Sequence, residues 1–379
     1  MLSLDLLGGL SAQTFLRDYW QKKPLLIRQA IPGFTGLLTP EELLVLTGQD
    51  DCTARLVRQQ GDGWQLRHGP FRRSAFPALK SRQPWTVLVQ ELNHHLRSAE
   101  DLLQRFSFIP HARLDDLMVS LASPGGGVGP HFDSYDVFLL QGMGERHWQI
   151  STQADLTLID DLPLKILRRF TPEQEWVLAP GDMLYLPPHC AHNGIAVGPC
   201  MTYSIGFRAP SAQEIANQFL IFLQDRLQLD GVYADPDLSL QEHPAQIEEP
   251  MLEKIAGMVN QIRWDKHDIA EFTGCYLSEP KAHIFFSPPE TMPSHAEFCR
   301  QVRKTGVRLA PQSLMLCHDK RFFLNGEPID LAGEYESLIQ LADTRQLAGA
   351  GLSPACLDWL YTCHEAGFVL IEEEIRKSG

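Results

Sequence analysis

His131 and Asp133 stand two residues apart at the end of Gly125-Gly126-Gly127-Val128-Gly129-Pro130-His131-Phe132-Asp133. Side chains two apart on a β-strand point to the same face, so this imidazole and this carboxylate can grip one ion together. Two histidines and one carboxylate on one face of an octahedron hold Fe(II) and leave positions open for substrates. The pattern therefore asks for a second histidine downstream. The segment Gly181-Asp182-Met183-Leu184-Tyr185-Leu186-Pro187-Pro188-His189-Cys190-Ala191-His192 offers two, His189 and His192.

That segment resembles the second cupin motif: glycine, five residues, proline, any residue, glycine, two residues, histidine. Gly181, Pro187 and His192 fit it, and His189 stands where the motif has glycine. His192 is taken as the ligand by its spacing. His189 is read as a turn residue or part of the pocket mouth. Parity then selects further groups. If His131 and Asp133 point into a barrel, Tyr135 can follow them. Asp116, Met118 and Ser120 share one face of a preceding strand, and Thr202 and Ser204 share one face of a later one. Arg146, Trp148 and Ile150 share a parity after the turn Gln141-Gly142-Met143-Gly144. The eight cysteines form no C-x-x-C pairs, and Cys317-His318 and Cys363-His364 match no zinc spacing.

Those residues need elements to position them. Phe15 to Tyr19 reads as a helix that Pro24 ends before a short strand at Leu25-Leu26-Ile27. Thr39-Pro40-Glu41-Glu42 starts a second helix, and Leu88 to Leu103 reads as a third. From about Leu114 the pattern turns to short strands with Gly/Pro turns, which indicates a sandwich or barrel. After Pro210, Ser211-Ala212-Gln213-Glu214 is a capping box. The helix it opens is apolar at Ile215, Phe219, Phe222, Leu223 and Leu227, and a second has Leu252, Ile255, Val259 and Ile262 at helical spacing. Further on, Asp319 to Glu327 reads as a strand turning at Asn325-Gly326. Helices at 334–347 and 353–366 and a strand at 368–371 follow. A chain of 379 residues is long enough for two or three domains.

A formal charge of −14 argues against general nucleic-acid binding, which needs a basic footprint. It suits a basic macromolecular partner. No apolar run is long enough for a membrane span. The start Met1-Leu2-Ser3-Leu4-Asp5 lacks the basic n-region of a secretory signal. With the unpaired cysteines, this leads us to expect a cytoplasmic protein.

The first 210 residues or so resemble the Jumonji-C-type Fe(II)- and 2-oxoglutarate-dependent oxygenases. More specifically, they resemble the bacterial ribosomal oxygenases that hydroxylate an arginine of a large-subunit ribosomal protein. The resemblance is carried by Tyr19 to Pro24, Trp64 to Phe71, Asp115 to Met118, Pro124 to Asp133, Tyr135 to Phe138 and Tyr203 to Pro210. It implies an α+β chain: a double-stranded β-helix (cupin or jelly-roll) oxygenase domain over 1–210, a helical dimerisation region over 211–290 and a winged-helix-like domain over 291–379. It also implies Fe(II) on His131, Asp133 and His192, and 2-oxoglutarate held by Arg146; Ser120 and Thr202, by their strand parity, are the candidates for added hydroxyl hydrogen bonds to it. Asp116, Tyr135 and Ser204 are the candidates for gripping the target side chain. The expected partners are a large-subunit ribosomal protein and a second copy of this chain. A histidine, asparagine or methyl-lysine target is the alternative within the class. A ligand-sensing winged-helix regulator is the alternative outside it, and Arg146 argues against that, since a sensor needs no clamp for 2-oxoglutarate. The chain's end, from Glu372 through Glu373 and Glu374, makes a DNA-binding winged helix a poor expectation.

Overall fold

The computed structural model describes residues 4–61, 63–79 and 83–372. Glu373 and Glu374 lie outside the described residues. The chain divides into two compact units, Met1–Ala209 and Pro210–Ser378.

The first unit opens with α1 (Ala12–Asp18), β1 (Leu25–Ile27) and α2 (Pro40–Leu46). Thr39 and Glu42 form a reciprocal capping box at the start of α2, which satisfies donors the helix would otherwise leave open. Then come β2 (Ala54–Gln60), β3 (Gly63–His68), β4 (Trp85–Val89), α3 (Leu92–His95) and α4 (Arg97–Gln104). The helix expected over Leu88–Leu103 is therefore corrected. Leu88 and Val89 finish a strand, Glu91 turns the chain in the left-handed region (φ 55°), and the extended Leu96 separates two short helices. The apolar spacing was right, but pairing of Leu88 and Val89 with Arg55 and Ala54 of β2 overrode the local helical preference.

The remaining strands are β5 (Leu114–Ala122), β6 (Val137–Gln141), β7 (Arg146–Ser151), β8 (Gln174–Leu178), β9 (Met183–Leu186), β10 (Ala191–Ala196) and β11 (Cys200–Phe207). They make an eight-stranded sheet in the order β1-β9-β6-β11-β5-β4-β2-β3 and a three-stranded sheet in the order β10-β7-β8. This is a double-stranded β-helix. One face of the large sheet packs Leu117, Val119, Leu121, Phe138, Tyr203 and Ile205 into a core with Phe15 of α1 and Leu43 of α2. The other parity, with Val137, Leu139 and Leu184, forms a second cluster with Trp148, Ile150 and Leu178 of the small sheet. That second space is the barrel interior.

Asp182 ties the first strand to the barrel. Its carboxylate accepts from the backbone N–H groups of Gln29 and Ala179 and from Arg28 (2.6 Å). Burial alone would raise this carboxyl, but those donors hold it below its usual range.

In the second unit, α5 (Ala212–Gln224), α6 (Glu249–Val259), α7 (Lys266–Ser278) and α8 (His295–Thr305) are followed by β12 (Val307–Leu309), β13 (Met315–His318), β14 (Arg321–Leu324), β15 (Glu327–Ile329), α9 (Tyr335–Thr344), β16 (Gln346–Leu347), α10 (Pro354–Glu365) and β17 (Val369–Ile371). Asn325 and Gly326 both take positive φ (51° and 92°), as a tight hairpin between β14 and β15 demands. Phe298, Val302, Leu341, Leu357, Leu360 and Val369 make the core of the C-terminal part. Two expectations are corrected. Ile262 falls beyond the end of α6. At α5, Ser211 caps the Glu214 N–H (3.1 Å), but the Glu214 carboxylate accepts the Tyr276 hydroxyl (2.7 Å) and does not close the box.

Candidate metal centre

His131, Asp133 and His192 come together: one ligand atom from each lies within 4.8 Å of the others. His192 begins the inward parity of β10. His131 is not on a regular strand. It forms an isolated bridge with His192, and Asp133 and Tyr135 lie in the loop beyond it. The strand-parity argument for Asp133 and Tyr135 is therefore corrected. Chain direction after the bridge, and not a two-residue repeat, places Asp133 and Tyr135.

Both imidazoles are oriented by the backbone. His131 Nδ1 lies 2.9 Å from the Gly129 carbonyl and His192 Nδ1 lies 2.9 Å from the Cys190 carbonyl. A carbonyl only accepts, so each Nδ1 carries the proton and each Nε2 keeps its lone pair. The His192 Nε2 is 3.7 Å from Asp133 Oδ2, and the two imidazole centroids are 4.2 Å apart. Burial, then the neighbouring His131, pushes the His192 pKa down against the pull of Asp133, so the ring is neutral and available as a ligand. Two imidazole nitrogens and one carboxylate with these outer partners fit a divalent first-row metal such as Fe(II).

His189 stays out of this cluster. It is exposed, holds φ 63°, and donates its N–H to the Asp133 carbonyl (2.7 Å). A left-handed residue at that point explains why the motif prefers glycine there. Gly129 is required for a different reason. At φ +80° its added Cβ would meet Ile166 Cδ1 at 2.7 Å and the Trp64 ring at 2.8 Å.

Strand register settles the rest of the lining. Ser120 pairs with Thr202 across β5 and β11, and Thr202 pairs with Gln141 across β11 and β6. Directly opposed residues share a face. Arg146 is 4% exposed inside the barrel. Its NH2 donates weakly to Ser120 Oγ (3.4 Å), its guanidinium lies 5.7 Å from the Trp148 ring, and among the described residues no carboxylate pairs with it. The Arg146 Nε and the Trp148 Nε1 are buried without a hydrogen-bond partner. Buried N–H groups left unpaired are expensive, so this interior is built to receive an acceptor, and a dicarboxylic acid such as 2-oxoglutarate fits.

The hydroxyl of Thr202 already donates to Gln141 Oε1 (2.9 Å), and the Gln141 amide donates to the Met143 and Gly144 carbonyls. Gln141 was not singled out from the sequence. Its parity with Val137 and Leu139 was the available signal. Asp116 is buried, and one of its oxygens accepts the Glu91 N–H (2.9 Å). Ser204 is buried and Tyr135 half-exposed. Partial desolvation, with the charges of Asp133 and Asp116, pushes the Tyr135 phenol up, so it stays protonated and can donate.

A double-stranded β-helix with this donor set and an interior cation defines a metal-dependent oxygenase of the JmjC class. A family model described as the JmjC domain matches residues 101–215, and one described as a ROXA-like winged helix matches residues 261–368. The chain is 33% identical over 322 residues to the ribosomal protein uL16 3-hydroxylase of Escherichia coli, covering 83% of this chain and 84% of that protein. It is 38% identical over 238 residues to a probable ribosomal oxygenase of Haemophilus influenzae, covering 62% of this chain and 56% of that one. YcfD, a ribosomal oxygenase from Escherichia coli solved in complex with cobalt and 2-oxoglutarate, matches with a TM-score of 0.81 and 30% identity, over 95% of this chain and 98% of that one. The chain belongs to the JmjC ribosomal oxygenase family.

Proposed function

We propose that this chain uses Fe(II) and 2-oxoglutarate to hydroxylate an arginine of a large-subunit ribosomal protein, with succinate and CO2 as co-products. The observation that carries the reading is a His-Asp-His donor set in the same barrel as a buried arginine that, among the described residues, pairs with no carboxylate. His131, Asp133 and His192 would hold the iron, which when bound supplies, with dioxygen and the co-substrate, an oxidant able to take hydrogen from an unactivated carbon. Arg146 would clamp the far carboxylate of 2-oxoglutarate through a permanently charged fork. Ser120 and Thr202 would add hydroxyl contacts beside it. Asp116, Tyr135 and Ser204 would receive the target side chain, with the Asp116 carboxylate balancing a guanidinium.

Exposed apolar residues on α5 (Ile215, Leu220, Ile221) and α6 (Leu252, Ile255, Val259) support a homodimer formed through the 211–290 region. Among the described residues no helix is long and apolar enough to cross a membrane. A ribosomal target suits a cytoplasmic location, and we assign the winged-helix part a structural or protein-binding role rather than nucleic-acid binding.

The test is to incubate the protein with Fe(II), 2-oxoglutarate and isolated large-subunit ribosomal proteins. The expected result is stoichiometric succinate and the mass of one added oxygen on an arginine. Succinate without any oxygen on a ribosomal protein would overturn the substrate assignment. Oxygen on a histidine or asparagine, or loss of a methyl group, would replace the arginine reading.

A further inference from the structure

The polar row that starts inside the barrel continues past it. Gln141, Thr202 and Ser120 are successive cross-strand partners, and Ser120 is in turn opposite Leu88 of β4. Leu88 is opposite Arg55 of β2, and Arg55 is opposite His68 of β3. Opposed residues share a face, so Arg55 and His68 stand on the same face of the sheet as the residues assigned to 2-oxoglutarate. The core membership of their neighbours agrees. Ala54, Leu56, Val87 and Val89 pack on the outer face, and Arg55 and Leu88 do not. Trp64, on the same parity of β3, packs against Gly129 two residues before His131.

We propose that Arg55 is a substrate-anchoring residue, whose guanidinium holds a carboxylate of the protein substrate a few residues from the hydroxylated position. This rests on the function proposed above. Arg55 is half-buried, its Nε is buried without a hydrogen-bond partner, and among the described residues it pairs with no acid. Arg58, three residues on and facing the other way, also has an unpartnered buried Nε, but its NH2 is engaged, donating to the Ala75 carbonyl (2.6 Å). A guanidinium kept partly out of water with no acceptor is waiting for one. The separation suits a peptide. Ser120 to Arg55 is two strand spacings, roughly 10 Å, which an extended chain covers in about three residues. A single fork on a sheet face, in a chain of formal charge −14, fits one carboxylate on a peptide better than a polyanion.

The experiment is steady-state hydroxylation of uL16 peptides by the full chain, with each Asp and Glu of the peptide replaced in turn by alanine. Arg55→Met should raise the peptide KM about tenfold, the effect of one charge-assisted hydrogen bond. It should leave kcat, the 2-oxoglutarate KM and peptide-free succinate formation unchanged. Arg55→Lys should recover part of the loss. The peptide acid that Arg55 grips should contribute to the parent's KM less at high salt, and this salt effect of its replacement should be absent in Arg55→Met. One peptide acid should matter to the parent and not to Arg55→Met. The proposal is overturned if both variants keep the parent's peptide KM, or if every peptide acid matters equally in parent and variant. Should Arg55→Met fail to fold, Arg55→Lys decides alone, and an unchanged KM overturns the proposal. A parent that makes succinate but hydroxylates no ribosomal peptide overturns the functional reading itself, and Arg55's role with it.

Discussion

On β5, Leu117, Val119 and Leu121 are completely buried against helices of the first unit, while Asp116, Met118 and Ser120, one residue out of step, face the small sheet. β6 repeats the division, with Phe138 and Leu140 outward and Val137, Leu139 and Gln141 inward. The outer face is a closed apolar core whose groups are fully packed. The inner face holds polar groups, among them Arg146, whose buried guanidinium has an unpaired Nε. A single strand thus supplies stability through one parity and chemistry through the other. Damage to one face should therefore be separable from damage to the other.

The sharpest break in that comparison is at the metal. His192→Ala, His131→Ala or Asp133→Ala should abolish cobalt binding, measured by calorimetry, and turnover, with thermal unfolding little changed. His189→Ala should keep most activity, because its ring is outside the cluster. Activity in His192→Ala with loss in His189→Ala would reverse the assignment. On the outer face, Phe138 is fully buried among Phe15, Phe106 and Tyr185. Phe138→Ala should lower stability by about 3–5 kcal/mol in urea unfolding, while the protein that remains folded keeps its apparent affinity for 2-oxoglutarate.

Arg146→Ala tests the inner face without touching the metal ligands. Removing the cation from a buried ion pair loses several kcal/mol, so the 2-oxoglutarate KM should rise about 100-fold or more, with cobalt affinity nearly unchanged. Arg146→Lys should recover part of it, since lysine restores the charge and not the fork. A titration of Arg146→Ala that overlays the parent's would remove the clamp from the mechanism.

The smallest effect is expected at the sheet's edge. Asp182→Asn should lower stability at pH 7 by about 1–2 kcal/mol through weakened hydrogen bonds. The Asp182 carboxyl is held below its unfolded value of 3.8. Its contribution is thus fully present above that pH and lost as pH falls through the lower folded value. Unfolding curves of parent and Asp182→Asn should converge in acid, and a gap that persists there would assign the loss to packing.

Much of the site could be read from the chain because its cues are local. A two-residue spacing marked His131 and Asp133, the glycine-to-histidine spacing marked His192, period-two alternation put Ser120 and Thr202 on shared parities, and the family resemblance pointed to Arg146. Asn325-Gly326 announced its hairpin because both positions need positive φ. The misreadings lie where a long-range partner decided the outcome. The Leu88–Leu103 segment has helical periodicity, yet Leu88 and Val89 pair with Ser120 and Val119, and pairing outweighs weak local preference. Tyr135 shares the parity of Asp133 but follows it in a loop.

What the sequence determined by itself was the donor set, the β-rich first unit and the helical character of the region after Pro210, since residue type and short spacings carry these. Only the tertiary structure decided which groups meet. It joined His131 to His192 through one bridge, gave Thr202 to Gln141, buried Arg146 with no acid beside it among the described residues, and lined up Arg55 with Ser120 across three strands. Register between distant strands is set by the packing of a whole sheet face, and no window of neighbouring residues contains it.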